Sequence, residues 1–268
     1  MQINNDIKSI AIGSFDGIHI AHRVLIDRVD AVVIIERNGG YLTPGYKRAN
    51  FTSKMCCFYH FDTIKSLTPE EFVNKLQVDF PSLETIVVGY DFHFGKGKFG
   101  DAQLLATLFD KEVIIVEQVT YEDIPVHSRT IKEYLREGKV TMANKLLGRR
   151  YSIEGEVVQG QGLGKKELVP TINLKVVGYQ LPLEGVYATR TLMDGEWLAS
   201  VSFLGHRVTT DDSYAVETHI LDKNIGAVSG KIVLEFVGLI RKNIKFDTLE
   251  ALKKQIQDDI GDTKKILH

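Results

Sequence analysis

The amino-acid sequence predicts two domains of different class: an α/β domain with a doubly wound parallel sheet, then a small antiparallel β-barrel with a terminal helix. Short apolar runs alternate with helical patterns up to about residue 130, and strand-like runs with tight turns follow Arg150. An amphipathic pattern begins at Asp247. The 268 residues suffice for two hydrophobic cores. We place one domain at residues 1–148 and the other at residues 149–268.

Strand–helix alternation in the first half favours a parallel sheet with helices on both faces. The clearest helix start is Thr68-Pro-Glu-Glu71, where a threonine cap precedes a proline and two carboxylates. Ligands of such sheets bind beyond the carboxyl ends of the strands. The predicted strands are residues 7–12, 31–35, 55–61, 85–88 and 112–116, and the predicted helices are residues 19–28, 69–76 and 101–109.

Two helical patterns between residues 130 and 148 each end in glycine, as helix C-termini prefer. Beyond them, apolar runs alternate with turn signals such as Asp194-Gly195 and Ser229-Gly230, which predicts antiparallel strands. A closed barrel is the simplest arrangement of such a run. The predicted strands are residues 151–158, 171–176, 186–193, 197–203, 214–221 and 231–237, and the last helix opens at residue 247.

Composition narrows the classes of partner. The formal net charge is −2, so no overall basic field attracts nucleic acid or a membrane surface. No apolar run approaches the length of a membrane span, and the first residues lack the pattern of a secretion signal. Cys56 and Cys57 are adjacent within an apolar run, so we expect buried thiols without a disulfide. These observations predict a cytoplasmic protein.

A candidate phosphate site follows the first predicted strand, in Gly13-Ser-Phe-Asp-Gly-Ile-His-Ile-Ala-His22. Glycine permits a sharp turn, and the start of the next helix offers free backbone N–H groups. His19 and His22 are three residues apart, so they share one helix face and can donate to a phosphate that gains charge. The alternative is that both imidazoles only cap or pack the helix, which is the commoner role of a lone histidine.

This loop resembles that of the His-x-Gly-His nucleotidyltransferases, with Ala21 in place of their glycine. A second segment, Val87-Val-Gly-Tyr-Asp-Phe-His-Phe-Gly95, closely resembles the Val-Gly-x-Asp-Phe-x-Phe-Gly segment of bacterial bifunctional riboflavin kinase/FAD synthetase. The resemblance implies a Rossmann-like nucleotidyltransferase domain with catalytic histidines at 19 and 22. It implies ATP-binding residues Gly13, Phe15, Asp16 and Gly17, and a flavin or nucleotide loop with Asp91, Phe92, Phe94 and Gly95.

Gly95-x-Gly97-x-x-Gly100 also matches the dinucleotide-binding fingerprint. It follows the fourth predicted strand rather than opening a βαβ unit, and Lys96 and Lys98 fill the loop. We therefore disfavour a dehydrogenase, while a charged surface loop is the stronger alternative.

A second glycine-rich segment is Gly160-Gln-Gly-Leu-Gly-Lys-Lys-Glu-Leu-Val-Pro-Thr-Ile-Asn173. Its backbone N–H groups, at Gly162 and Gly164 among others, and the ammonium of Lys165 suit a polyphosphate. Thr171 and Asn173 are two residues apart on a predicted strand, so they share a face, and oxygen ligands suit Mg²⁺. Taken alone, such a loop is also a common turn and such a pair is commonly only hydrogen-bonded.

This segment resembles the Gly-Arg-x-Leu-Gly-Phe-Pro-Thr-Ala-Asn loop of riboflavin kinase, and Gly185-Val-Tyr-Ala188 and Val216-Glu-Thr-His-Ile-Leu-Asp222 follow in family order. The resemblance implies a riboflavin kinase-like barrel in which Thr171 and Asn173 hold Mg²⁺ with ATP. It makes Glu217 the general base for the ribityl 5′-hydroxyl of riboflavin. Without it, Glu217 would be interpreted as a solvent-facing strand residue. The chain departs from the family at Lys165, at residues 167–169 and at residues 204–210.

The N-terminal half departs further from that family. The Thr-Phe-x-Pro-His-Pro segment after the second strand is missing, and the Ser-Ser-Thr-x-Ile-Arg motif stands as His127-Ser-Arg-Thr-Ile-Lys132. Ser128 is kept, whereas Lys132 replaces an arginine that would hold the leaving pyrophosphate. Lysine keeps the charge and loses the bidentate fork, for which Arg129 is a candidate substitute.

The sequence therefore predicts a bifunctional enzyme that phosphorylates riboflavin to FMN and adenylylates FMN to FAD, with Mg²⁺ and ATP. One alternative is a riboflavin kinase whose N-terminal half binds nucleotide weakly or serves as a scaffold. Another is a flavin- or nucleotide-binding regulator, or a barrel for single-stranded nucleic acid. The low net charge and the lack of a basic–aromatic stripe argue against nucleic acid. The expected partners are riboflavin, FMN and ATP, without a membrane, and the oligomeric state is not predicted.

Overall fold

The computed structural model describes residues 6–37, 41–159, 169–207 and 214–267. The chain forms two compact units, residues 1–128 and residues 129–268. Each unit has its own β-structure, a parallel sheet in the first and a closed barrel in the second.

The first unit contains a five-stranded sheet in the order β3-β2-β1-β4-β7, and all its neighbouring strands pair in parallel. Hydrophobic clusters cover both faces, because side chains of β1 and β2 alternate between them. The sheet strands are β1 (Ser9–Gly13), β2 (Ala31–Glu36), β3 (Met55–His60), β4 (Thr85–Gly89) and β7 (Glu112–Val116).

The helices of this unit begin at residues that cap them. Thr68 accepts from the backbone N–H of Glu71, and the Glu71 side chain accepts from the backbone of Thr68, which forms a complete capping box at α3. The helices are α1 (Ile20–Ile26), α2 (Phe61–Ile64), α3 (Pro69–Asp79) and α4 (Ala102–Leu108), with 3-10 turns at Gly45–Phe51 and Lys96–Lys98. Two short hairpins pair β5 (His93–Phe94) with β6 (Gly100–Asp101), and β8 (Thr120–Tyr121) with β9 (Ile124–Pro125).

The second unit is a closed barrel of six antiparallel strands in the order β10-β11-β14-β13-β12-β15. Helices α5 (Ser128–Arg136), α6 (Val140–Leu147) and α7 (Leu249–Leu267) accompany it. Contacts hold α5 and α6 to this unit, since the carbonyl of Leu135 accepts from the backbone N–H of Leu183 and Asn144 donates to the carbonyl of Phe236. The barrel strands are β10 (Tyr151–Val158), β11 (Ile172–Val176), β12 (Gly185–Met193), β13 (Glu196–His206), β14 (Tyr214–Ile220) and β15 (Lys231–Lys242).

Five hydroxyl side chains lie fully buried inside the barrel, on β12, β13 and β14. They bond to one another at donor–acceptor distances from 2.7 to 3.4 Å, so each hydroxyl that leaves water finds a partner. We call this set the hydroxyl chain; its members are Thr189, Thr191, Ser200, Ser202 and Thr218.

The structure confirms the predicted fold class, a parallel α/β sheet followed by a closed antiparallel barrel and a terminal helix. The predicted boundary at residues 148 and 149 stays a prediction. In the structure the compact units divide between Ser128 and Arg129, because α6 bonds to β15 and α5 bonds to the chain just before β12. None of the described helices is long and apolar enough to cross a membrane.

Candidate functional site

The loop between β1 and α1 turns sharply at the carboxyl edge of the sheet. Gly17 has φ 91°, and two buried residues, Phe15 and Ile18, also have positive φ, at 47° and 43°. This region is unusual for residues other than glycine, and the surrounding structure must hold them there.

Three contacts fix this loop. The Oδ1 atom of buried Asp16 accepts from the backbone N–H of Thr43 at 3.1 Å, and its carbonyl accepts from the Ser128 hydroxyl at 2.8 Å. Arg48, in the 3-10 turn after β2, is fully buried and donates to the Ser14 carbonyl at 2.6 Å and to Glu36. Burial lowers the pKa of the Arg48 guanidinium below its ordinary value, and the Asp16 carboxylate opposes that shift.

His19 has the capping role that the sequence left open, and its phosphate-donor role stays a prediction. Its Nδ1 atom accepts from the backbone N–H of His22 at 3.3 Å and so caps α1. A nitrogen that accepts carries no proton, so the neutral ring is protonated at Nε2, and that N–H can donate to a ligand. The two imidazoles lie on one side of the helix start, as their spacing predicted, and their rings stack with centroids 3.4 Å apart.

A cleft of about 360 Å³ lies at the carboxyl ends of β1 and β4. In an open parallel sheet this is where the strand order reverses and ligands bind. The cleft brings together many of the predicted site residues: Gly13, Phe15, His19, His22, Asp91, Phe92 and Ser128. Among the residues that the structure describes, its permanently charged cations are Arg37 and Lys98.

Other predicted residues of this region do not line the cleft. Asp16 and Gly17 shape the loop, while Phe94 is buried in the core, where its ring packs against Phe92 and Phe72. Gly95 has φ 71° and lies against Pro69. The Gly95–Gly100 segment belongs to the β5–β6 hairpin, which is not the strand-to-helix turn of a dinucleotide fold.

His127 also lines the cleft and was not predicted as a site residue. Its Nε2 atom lies 3.4 Å from the Tyr90 hydroxyl and 3.5 Å from the Gln118 amide, and its Nδ1 lies 3.9 Å from an Asp91 oxygen. Arg129 and Lys132, predicted to contact phosphate, lie on α5 within the second unit.

The barrel brings Asn173 and Glu217 together. They are paired residues on the neighbouring antiparallel strands β11 and β14. Arg207, directly after β13, bridges them: its Nε donates to Oε1 of Glu217 at 2.6 Å, and its Nη2 donates to Oδ1 of Asn173 at 2.8 Å. About a fifth of each charged side chain is exposed, at 19% for Arg207 and 21% for Glu217.

The chain that leads to Asn173 is also held. The Nδ1 atom of His219 lies 2.8 Å from the Pro170 carbonyl, which can only accept, so this nitrogen donates. Thr171 is partly buried and immediately precedes β11. Gly162, Gly164 and Lys165 lie outside the described residues, which resume at Val169.

The oxygens at this position fit a hard cation. Asn173 and Glu217 direct their oxygens at one guanidinium, which shows that the position stabilises positive charge. Amide, hydroxyl and carboxylate oxygens are the donors that Mg²⁺ prefers. A site built wholly from side chains is not expected, and the described residues contain no cluster of three or more His, Cys, Asp or Glu that could hold a metal.

Two arginines at these sites could not be recognised in the sequence. Arg48 has no motif around it and reaches Ser14 across 34 residues. Arg207 lies in the segment where the chain departs from the family, so the resemblance assigned it no role.

Comparison with known families agrees with this geometry. The model of the riboflavin kinase family matches residues 147–267, and that of the FAD synthetase family matches residues 47–130. The chain thus matches both domains of the bifunctional riboflavin kinase/FAD synthetases. Its riboflavin kinase match contains Asn173, Arg207 and Glu217, and its FAD synthetase match begins after the two histidines of the cleft.

Curated relatives of this family match over nearly their whole length. A bifunctional riboflavin kinase/FMN adenylyltransferase from Listeria monocytogenes is 29% identical, over 96% of this chain and 91% of the relative. One of the same name from Pseudomonas fluorescens is 28% identical, over 93% of this chain and 90% of the relative.

A solved structure from Streptococcus pneumoniae, titled a macrolide-efflux protein, matches with a TM-score of 0.85 and 26% identity. The match covers 98% of this chain and 95% of the other. The match shows that the two proteins share their fold, and efflux belongs to the name of that protein alone.

Proposed function

We propose that this protein phosphorylates riboflavin to FMN at the barrel and adenylylates FMN to FAD at the cleft of the parallel sheet. The observation that carries the proposal is the pairing of Asn173 with Glu217 across β11 and β14, within the riboflavin kinase match. The matched FAD synthetase segment, which includes the cleft residues of the β4 end, supports the second activity.

At the barrel, the ribityl 5′-hydroxyl of riboflavin attacks the γ-phosphorus of ATP. A new oxygen–phosphorus bond forms, the bond to the β-phosphate oxygen breaks, and ADP leaves. Glu217 accepts the hydroxyl proton, because a carboxylate within hydrogen-bond reach of a primary alcohol can act as a general base. Its carboxylate already accepts a hydrogen bond in the free protein, so it lies in position before the substrate binds.

Thr171 and Asn173 would hold Mg²⁺ there, together with oxygens of ATP and water. The bound ion would neutralise charge on the β- and γ-phosphates. Asn173 is fixed by its pairing with Glu217, and the His219–Pro170 contact holds the chain next to Thr171.

In the cleft, a phosphate oxygen of FMN attacks the α-phosphorus of ATP, and the bond to the β-phosphate breaks to release pyrophosphate. The Nε2–H of His19 donates to the phosphate that gains charge, with His22 stacked beside it. Arg37 and Lys98 add permanent positive charge where the triphosphate binds. His19 is oriented by the cap that it provides to α1.

The alternative, a kinase with an inactive first unit, is favoured by two features of the sequence: the missing segment after β2 and Lys132 in place of arginine. Incubation with riboflavin, ATP and Mg²⁺, followed by chromatography, separates the two. FMN together with FAD and pyrophosphate is expected for the bifunctional enzyme. If riboflavin yields only FMN, and added FMN yields no FAD, the protein is a kinase alone. Riboflavin binding without any product would contradict both the bifunctional enzyme and the kinase.

A further inference from the structure

Arg207 occupies the same oxygens that the kinase reaction needs. It bonds to Oδ1 of Asn173, a proposed Mg²⁺ ligand, and to Oε1 of Glu217, the proposed base. The oxygen lone pairs that accept from the guanidinium at 2.6 to 2.8 Å are not available at the same time to a metal ion or a substrate hydroxyl. Arg207 therefore competes with the metal ion and the substrate for these oxygens.

A purely structural role explains this contact poorly. Asn173 and Glu217 are already held opposite each other by the pairing of their strands, which continues through Ile172 and Thr218. The buried Arg241–Asp259 pair is a useful contrast: Arg241 donates from Nε and Nη2 to a carboxylate whose side chain is 5% exposed, and it ties α7 to β15. Arg207 instead connects two side chains of one site, and Asn173 and Glu217 both stay partly exposed.

We propose that Arg207 is a catalytic residue of the kinase site: in the free protein it holds the place of the metal's positive charge, and with Mg²⁺ and ATP bound it contacts the transferred phosphoryl group. This inference rests on the proposed kinase activity. The guanidinium is a planar fork of donors that matches phosphate oxygens. Released from Asn173 and Glu217, it remains beside the attacking hydroxyl, where it stabilises charge on the equatorial oxygens of the phosphoryl group.

The two roles predict effects of opposite sign on one variant. While Arg207 bonds to Asn173 and Glu217, it opposes entry of the metal. Removal of its guanidinium should therefore strengthen binding of Mg²⁺ with ADP, which lacks the γ-phosphate. The contact between Arg207 and the phosphoryl group favours the reaction. Loss of the guanidinium should therefore slow phosphoryl transfer and weaken binding of Mg²⁺ with a non-hydrolysable ATP analogue. A residue that only supports the fold would weaken both nucleotides together.

The test compares Arg207→Gln and Arg207→Lys with the unchanged full chain. Arg150→Gln is the matched control, because Arg150 forms an ion pair with Glu235 elsewhere on the barrel. Calorimetry measures Mg²⁺–ADP and Mg²⁺–analogue binding, and chromatography measures FMN formation. For Arg207→Gln we expect Mg²⁺–ADP to bind about three- to tenfold more tightly and kcat to fall about 100-fold or more. Arg207→Lys keeps a point charge and should lie between, and Arg150→Gln should change each quantity less than about twofold.

Unchanged or weaker Mg²⁺–ADP binding by both Arg207 variants would overturn the place-holding role. A kcat within about tenfold of the unchanged chain would overturn the catalytic role. Thermal unfolding shows whether Arg207→Gln is folded. If it is not, the Mg²⁺–ADP affinity and the kcat of Arg207→Lys decide instead. An unchanged chain that forms no FMN would refute the proposed kinase itself, and Mg²⁺–ADP calorimetry would still decide on place-holding.

Discussion

Glu217→Gln separates the two proposed activities most directly. Glutamine keeps the length and shape of the side chain but has no basicity near neutral pH, so it cannot accept the proton of the ribityl hydroxyl. Loss of a general base typically costs 10²- to 10⁴-fold in rate, and we expect FMN formation to fall by about that factor. The cleft at β1 and β4 does not contain Glu217, so FAD formation from added FMN should stay within about twofold.

The structure also bounds the effect of this change on stability. Glutamine weakens the hydrogen bond that Glu217 accepts from Arg207 at 2.6 Å, in a pair that is about one-fifth exposed. Such a change costs about 1 kcal/mol, or about 2–4 °C in Tm for a chain of this size class. The protein therefore stays folded at 25 °C, and lost FMN formation cannot be assigned to unfolding.

The assay follows both products by chromatography at saturating ATP and Mg²⁺, with Glu235→Gln as the control. Glu235 lies on β15, forms an ion pair with Arg150 and has a side chain 22% exposed, close to that of Glu217. The control should retain both activities. FMN formation by Glu217→Gln within tenfold of the unchanged chain, or a parallel loss of FAD formation, would refute this reasoning.

Three further predictions concern other parts of the chain. His19→Ala removes an Nε2–H donor and should slow FMN-to-FAD conversion about 10²- to 10³-fold while FMN formation persists; equal loss of both products would contradict this, and exposed His60→Ala is the control. Asp259→Ala leaves Arg241 without its buried carboxylate and should cost about 3 kcal/mol in urea unfolding, and a loss below about 1 kcal/mol would contradict the importance of this pair. A hydrogen bond from Ser9 lowers the pKa of Asp30, so its contribution to stability is present above pH ~4 and is lost as the pH falls through the folded-state pKa. Asp30→Asn should therefore flatten the acid side of the stability–pH curve, and a curve of unchanged slope would disprove it.

The fold was predictable because periodicity is a local signal. Short apolar runs bounded by turn or helix signals predicted the strands of both units, and Thr68 with Pro69 predicted the start of α3. The site was predictable only in part, because its contacts join distant residues. The ion pair of Arg207 with Glu217 depends on the pairing of β13 with β14, and Arg48 contacts Ser14 only once the sheet has formed.

Phe94 shows a limit of predicting site residues from a sequence motif. The family segment marks it as part of a flavin or nucleotide loop, yet its ring lies in the core, while its neighbour Phe92 reaches the cleft. Residues 92 and 94 are two apart along the chain, so their side chains lie on the same side. Their rings stack, with Phe92 next to the cleft and Phe94 in the core. A motif can thus identify a site while some of its residues only support it.

The hydroxyl chain inside the barrel has a consequence for the kinase site. Hydrocarbon side chains tolerate small displacements, whereas hydrogen bonds between hydroxyls depend on direction and would be broken if β14 slid by two positions. Thr218 is hydrogen-bonded to Ser202 on β13, and the preceding residue of β14 is Glu217, on the opposite surface of the barrel wall. The buried hydroxyls thus fix the register of β14 against β13, and with it the position of the outer Glu217 carboxylate relative to Arg207 at the end of β13.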